Sequence, residues 1–465
     1  MIPSESRCFV ADLIPWPHRV LMLLNNLRTT PFSNTTMNTF LPLTALAAPL
    51  FFQPFVSTDG DEVWSQAELE AVTSVIQVEV EGIRNHDFKH AVVVKLIDGP
   101  GFIAYAQKRM DEMTTPEQVS AEENIMKMLA LFPADQDLME VTLALLEGQV
   151  GGFYDPVSNA FYLMEAFTGD IAKIILSHEL THALDDQLYD LDGGFAARMA
   201  NRDALSAYQA VVEGSGTAAM TSWTLQNAGN LDMEALMQAG SMGTESLGEA
   251  PEALWKPLLA SYTTGQSFLN RGYQIMRKAQ RADDKKSGVK TEKVTVSHAT
   301  DLAFANPPLS TEQILHPEKY WDQEQRDDPR EVADLITPSS DWKELDRSVS
   351  GELQLALLTG EPVEIDFTDQ MELMKIEYTN EAAEGWGGDA TVLYGKGDAR
   401  QLVISTVWDT PEDATEFLIA LTLKLPGWRE HVKQMDTNGL GSGVLVERAN
   451  LEHSVTVQVW FGAKP

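Results

Sequence analysis

The chain has 465 residues, with 34 Lys and Arg against 69 Asp and Glu, nine His and one Cys. That length exceeds the roughly 250–300 residues at which single cores stop growing, which points to two or three domains, and 44% hydrophobic with 22% charged residues excludes global disorder. A formal net charge of -35 opposes phosphate backbones and anionic leaflets, which argues against nucleic acid as a partner, and the lone Cys8 cannot build a disulfide framework or a cysteine zinc site.

Residues 1–59 read as a leader. Phe40–Phe52 is apolar, uncharged and short for a bilayer, and it reads as a signal-peptide core ending near Ala45-Leu46-Ala47 if translation starts at Met22, with Arg28 as the positive flank. The chain is therefore expected to be exported, periplasmic or extracellular, with a cytoplasmic place left open. No later stretch has 18 uncharged apolar residues, so no membrane span is expected in the body. Residues 60–150 read as helical, with apolar positions at three- and four-residue spacing in Ala67–Ile76 and Ile125–Phe132 whose stripes are read as core packing. Gly151–Met164 carries two aromatic-rich runs around a Pro/Ser/Asn turn, a hairpin signal. A polar cap at Thr168-Gly169-Asp170 then opens a buried helix over Ile171–Asp186, followed by a second helix from about Asp203 to Leu225. Residues 226–250 read as a loop, and Arg281–Lys290 as a charged, solvated excursion. Beyond Pro338 the alternation of Val363–Phe367, Gln401–Trp408 and Ser454–Trp460 predicts strands in a separate α+β domain, 338–465.

The chemistry lies in His178-Glu179-Leu180-Thr181-His182, an HExxH pattern on the first of those helices. Residues four apart share a helix face, so both imidazoles reach one ion while Glu179 touches a water on it. Chance places this pattern in roughly one such chain in a hundred. A zinc peptidase needs a third protein ligand and leaves the fourth position to water. Asp186 continues the series but stands eight residues from His178, about 12 Å along a helix axis. Asp185 and Leu188 exclude the metzincin arrangement. The better candidate is Glu213, on the next helix, where Gly214 and Gly216 allow a close approach at a cost of about 1 kcal/mol each in helix propensity.

His178–Gln187 followed by Glu213-Gly214-Ser215-Gly216-Thr217 resembles the gluzincin group of zinc metallopeptidases, whose thermolysin-like members carry the same HELTH string. A closer likeness is to poorly characterised bacterial peptidase-MA-like proteins. These share a Gly-Phe-Tyr-Asp-Pro hairpin (Gly152–Pro156), a Pro-Pro-x-Ser-Thr-Glu-Gln-x-Leu-His-Pro segment (Pro307–Pro317), Gly385–Asp389 and Trp408–Thr410, so that the likeness spans about residues 60–465. The resemblance implies Zn2+ held by His178, His182 and Glu213, with Glu179 as general base. It departs from thermolysin-like enzymes at Thr217, where a carboxylate often stands, which leaves Asp185, Asp186 and Asp203 as candidates for orienting the ligands.

The expected fold is α+β, mainly α. A helical N-terminal region (60–150) precedes a zincin-like catalytic core with the HExxH helix and a small β element (151–337), and an α+β C-terminal domain (338–465) follows. The expected activity is metal-assisted hydrolysis of a peptide or protein substrate, with Tyr262 or His316 as oxyanion donor and Ala160–Met164 pairing with the peptide. His18, His86, His90, His298, His431 and His453 lack partners at ligand spacing and read as surface or structural, and Gly385–Asp389 as a tight turn. The alternative is a non-catalytic, zinc-stapled scaffold that binds a partner protein, recognisable by a fourth protein ligand. A third reading is a maturation protease held inactive by residues 60–145.

Overall fold

Among the residues that the computed structural model describes, 63–232, 245–333, 336–367, 369–449 and 453–463, Ser65 starts the first helix. The expected leader and most of the 226–250 loop lie outside those residues. In α1 (Gln66–Arg84) the Ser65 hydroxyl accepts from the Glu68 N–H while the Glu68 carboxylate accepts from the Ser65 N–H. Leu69, Thr73, Ile76, Val80 and Arg84 form its buried stripe, and Asn85 ends it at φ 54°.

The next segment corrects the all-helical reading of residues 60–150. Val93–Ile97 is a strand, β1, because a β-branched run cut off by the Asp98 cap of α2 (Gly99–Met113) is too short for a helix and finds a ladder elsewhere. Helices α3 (Pro116–Met128) and α4 (Leu138–Gln149) follow, capped by Thr115 and Asp137.

The hairpin appears as β2 (Gly152–Asp155) and β3 (Ala160–Met164). Its sheet has the order β1-β3-β2, with β1 parallel and β2 antiparallel to β3. Both sides of β3 are thus occupied, and Ala160–Met164 cannot pair with a peptide as expected. The Met164 N–H donates to the Gly151 carbonyl at 3.0 Å, so by antiparallel alternation Phe153 and Asp155 bond to β3 while Gly152 and Tyr154 turn their backbone groups to the outer edge.

Helix α5 (Gly169–Tyr189) packs on β2 and β3, and α6 (Arg202–Asn227) crosses it. Helix α7 runs unbroken over Glu252–Ser287, so most of the expected excursion at 281–290 is the exposed end of a helix. Helices α8 (Val296–Ala305) and α9 (Thr311–Leu315) follow. One apolar cluster joins Leu69, Ile76 and Val80 of α1, Val94 of β1, Phe153, Phe161 and Leu163 of the hairpin, Ile175 and Leu180 of α5, and Trp223 of α6. The core therefore does not break at residue 150, and each large apolar side chain in it contributes about 1.5–3 kcal/mol.

Apart from four helices of six residues or fewer, the remaining elements are β4 (Lys343–Ser348), α10 (Gly351–Thr359), β5 (Trp386–Lys396), β6 (Ala399–Trp408), α11 (Pro411–Met435), β7 (Ser442–Arg448) and β8 (Ser454–Phe461). The strands form an antiparallel sheet in the order β4-β5-β6-β8-β7, whose Leu402, Ile404, Val455, Val457 and Val459 pack with Phe417, Leu421 and Trp428 of α11. The strand expected at Val363–Phe367 does not form. Phe367 leaves its alternation to meet the Trp255 ring edge-on at 5.1 Å. The turn expected at Gly385–Asp389 is instead the bulged start of β5. The described chain is thus mixed α and β and mainly helical, and no helix in it is long and apolar enough to cross a membrane.

Candidate metal centre

Ile171–Asp185 of α5 is almost continuously buried, between the hairpin on one side and α6 on the other. The four-residue spacing brings His178 Nε2 and His182 Nε2 to 2.8 Å from each other. Glu213 Oε2 lies 3.3 Å from the first and 3.5 Å from the second. Three donors at bond lengths of about 2.0–2.2 Å from a tetrahedral ion are about 3.3–3.5 Å apart, so the two His–Glu separations match and the His–His one is short. The residues therefore fit a divalent metal ion held by two imidazoles and one carboxylate.

Glycines bring Glu213 this close. A Cβ on Gly216 would stand 2.7 Å from His178 Cε1 and Nε2, and one on Gly214 would stand 2.6 Å from the Gly265 carbonyl oxygen of α7. Gly265 meets the Ala210 carbonyl in return, so the α6–α7 crossing is a contact of backbones. Sequence reading anticipated the first two glycines and missed Gly265.

The four groups perturb one another electrostatically. Burial, aided by the His182 charge, holds His178 down at about 4. Burial opposes charge on His182 too, but the bond and charge of Glu213, with Glu179 and Asp185, lift it to about 9. Burial pushes Glu213 up, and its bonds to both histidines bring it below the usual carboxylate range. Glu179 is raised to about 8, by burial first and then by Glu213, against the pull of His182 and the Tyr154 N–H.

Glu179 has two unlike oxygens. Oε2 accepts from the Tyr154 N–H at 2.9 Å, on the outer edge of β2, while Oε1 is buried with no hydrogen-bond partner among the described residues. Tyr262 of α7 reaches the same place, its ring centroid 5.9 Å from that of His178. Burial, then Glu213 and Glu179, keep its hydroxyl well above its ordinary value. His316, the other oxyanion candidate, is not brought to the cluster. Its Nε2 lies 2.8 Å from Glu352 Oε1, at the start of α10.

Of the three aspartates considered as orienting groups, Asp185 accepts from Ser215 Oγ at 2.5 Å and from Arg84 Nη2 at 2.6 Å. Asp186 accepts from the Tyr154 hydroxyl at 2.8 Å and the Leu191 N–H at 2.9 Å. Asp203 is ten residues before Glu213, about 15 Å along α6, and instead accepts from the Thr311 N–H at 3.0 Å and hydroxyl at 2.5 Å. Among the other histidines, His86, His298 and His431 bond Asp301, Thr295 and the Lys127 carbonyl.

The segments whose role the sequence left open meet at one joint. Asp389 of β5 accepts from the Ser350 and Gly351 N–H groups, each at 2.9 Å, and Gly351, at φ 75°, has no room for a Cβ beside Asp203. Glu312, Asp327 and Asp409 stand close enough to hold a cation, and the Lys319 ammonium fills that role at 2.6, 3.0 and 3.1 Å. A family model described as a domain of unknown function (DUF8575) matches residues 340–459. No curated protein and no solved structure matches the chain. The DUF8575 segment thus spans β4 to most of β8, and through Gly351 and Asp389 it braces the first turn of the helix that carries Glu213.

Proposed function

We propose that this chain is a zinc-dependent metallopeptidase of the gluzincin kind, hydrolysing peptide bonds in a peptide or protein substrate. The observation that carries the reading is the approach of His178 Nε2, His182 Nε2 and Glu213 Oε2 to within 2.8–3.5 Å of one another, beside a Glu179 carboxylate with one uncommitted oxygen. Two imidazoles and a carboxylate are the donor set of catalytic zinc sites that keep a position for water. An antiparallel edge strand lying over the HExxH helix supports a zincin-like core.

His178, His182 and Glu213 would hold the zinc ion, which would supply an acidified water and a Lewis acid for the scissile carbonyl. Glu179 Oε1 takes the water's proton and returns it to the leaving amine, while Oε2 stays on the Tyr154 N–H and fixes the carboxylate plane. The Tyr262 hydroxyl, kept protonated by its surroundings, donates to the developing oxyanion. The peptide adds as a strand to the outer edge of β2, beside the backbone groups of Gly152 and the Tyr154 carbonyl, the Tyr154 N–H being held by Glu179.

Glu179→Gln tests the reading in a peptide-library digest with zinc-loaded protein. Turnover is expected to fall about 10²–10⁴-fold with zinc content unchanged. Undiminished cleavage removes Glu179 from its role. Zinc in both proteins and cleavage by neither turns the reading to the zinc-stapled scaffold.

A further inference from the structure

Arg84 is the last residue of α1, and only 3% of it is exposed. Its Nη2 and Nε both point at Asp185 Oδ1, at 2.6 and 3.1 Å. Its Nη1 donates to Ser297 Oγ at 2.7 Å, and Nη2 also meets Asp301 at 3.3 Å, so the fork is held from α8 as well. Asp185 Oδ2 is left for the Ser215 hydroxyl at 2.5 Å. Asp185 stands three residues after His182 on α5, and Ser215 two residues after Glu213 on α6. One carboxylate therefore bridges the two helices that carry the donors, within a turn of each, and a guanidinium from a helix 101 residues earlier in the chain holds that carboxylate still.

Stability alone does not account for this arrangement. A buried ion pair gives little over apolar side chains of the same volume, whereas losing one partner leaves a buried charge uncompensated. Apolar packing is non-directional and does not by itself fix one spacing between two helices. A charge-assisted bond of 2.5–2.6 Å on each oxygen of one carboxylate does. The Glu213-to-histidine separation is set by that helix spacing.

We propose that Arg84, acting through Asp185 and Ser215, is a positioning residue of the metal centre, fixing the distance between α5 and α6 at which His178, His182 and Glu213 close on one ion. The proposal rests on the metal-centre reading above and on no particular substrate.

The experiment uses the full chain and two probes, Zn2+ titrated against a chromophoric chelator and the visible absorption spectrum of the Co2+ form. The variants are Asp185→Asn, Ser215→Ala and Arg84→Lys, with Ile404→Val in the far sheet as a control for general loss of stability. Asp185→Asn is expected to weaken Zn2+ binding roughly 10–100-fold and to change the Co2+ spectrum, with Ser215→Ala acting in the same direction and less. Ile404→Val should lower the melting temperature while leaving both metal readouts at wild-type values. Variants that melt earlier yet bind Zn2+ and colour with Co2+ as the wild type does overturn the proposal. Where Asp185→Asn does not fold, Arg84→Lys decides by the same two readouts, since its single ammonium cannot hold the carboxylate as the fork does. Absence of stoichiometric Zn2+ binding by the wild-type chain overturns the metal reading itself, and the proposal with it.

Discussion

Replacing Gly216 by alanine puts a methyl group where the His178 ring now lies. The new Cβ would stand 2.7 Å from Cε1 and Nε2 and 2.9 Å from Nδ1. Carbon contacts settle at about 3.5–4.0 Å, so the ring has to retreat by about 0.8 Å, or α6 has to lift by as much and take Glu213 with it. Metal–ligand distances tolerate errors of about 0.2 Å. The fold itself loses at most about 2 kcal/mol, because alanine adds about 1 kcal/mol of helix propensity against about 1–3 kcal/mol of overpacking. Peptide turnover is expected to fall at least about 100-fold, as a misplacement of about 1 Å does in catalytic sites. The assay pairs zinc titration and library digestion with thermal melting in chelator, which reports the metal-free fold. Wild-type zinc affinity and turnover in Gly216→Ala would refute the reasoning, since α5 and α6 could then separate without consequence for the centre.

Two further predictions concern the frame around the site. Asp203 is raised to about 8 by burial first and then by Asp389 and Glu352, against its bonds to Thr311. The folded state therefore keeps a proton that the unfolded chain releases near pH 4, so this group's stabilisation is complete below that pH and is lost as pH rises towards 8. Asp203→Asn should flatten the fall in urea midpoint between pH 5 and 8, and an unchanged slope counts against the assignment. Starting the chain at residue 99 removes Leu69, Ile76, Val80, Val94 and Arg84 from the core and leaves Asp185 without its cation. The product is expected to show no cooperative unfolding transition and no zinc binding. Higher peptidase activity after that trimming would instead support 60–145 as an inhibitory segment.

The residues of the candidate metal centre were legible because their spacing is local. His178, Glu179 and His182 sit within one turn and a fraction, and the paired glycines after Glu213 mark a helix that has to come close to another. Tyr262 was reachable only as a weak candidate, because nothing local separates it from any other tyrosine on a buried helix, and His316 looked no different until Glu352 was seen beside it. Arg84, Ser215 and Gly265 gave no signal at all. Their meaning lies in partners 101, 30 and more than 50 residues away, and a serine or an arginine at a helix end is ordinary in isolation. The same limit explains β1. Val93–Ile97 is β-branched and too short for a helix, but it takes β3 alongside to make it a strand. Val363–Phe367 alternates as a strand should but pairs with no strand among the described residues, and Phe367 packs against Trp255 instead.

The burial of the donors bears on exchange rates as well as on equilibrium. His178 is 0% exposed, and His182 and Glu213 are each 2% exposed, so an ion that binds there and a chelator that would remove it cross the same barrier. Zinc should therefore leave slowly even under conditions where its loss is favourable, and the time course of inactivation in excess chelator should follow the opening of the protein rather than the strength of the chelator. Two chelators of very different affinity, compared at saturating concentration, should then strip the centre at one common rate.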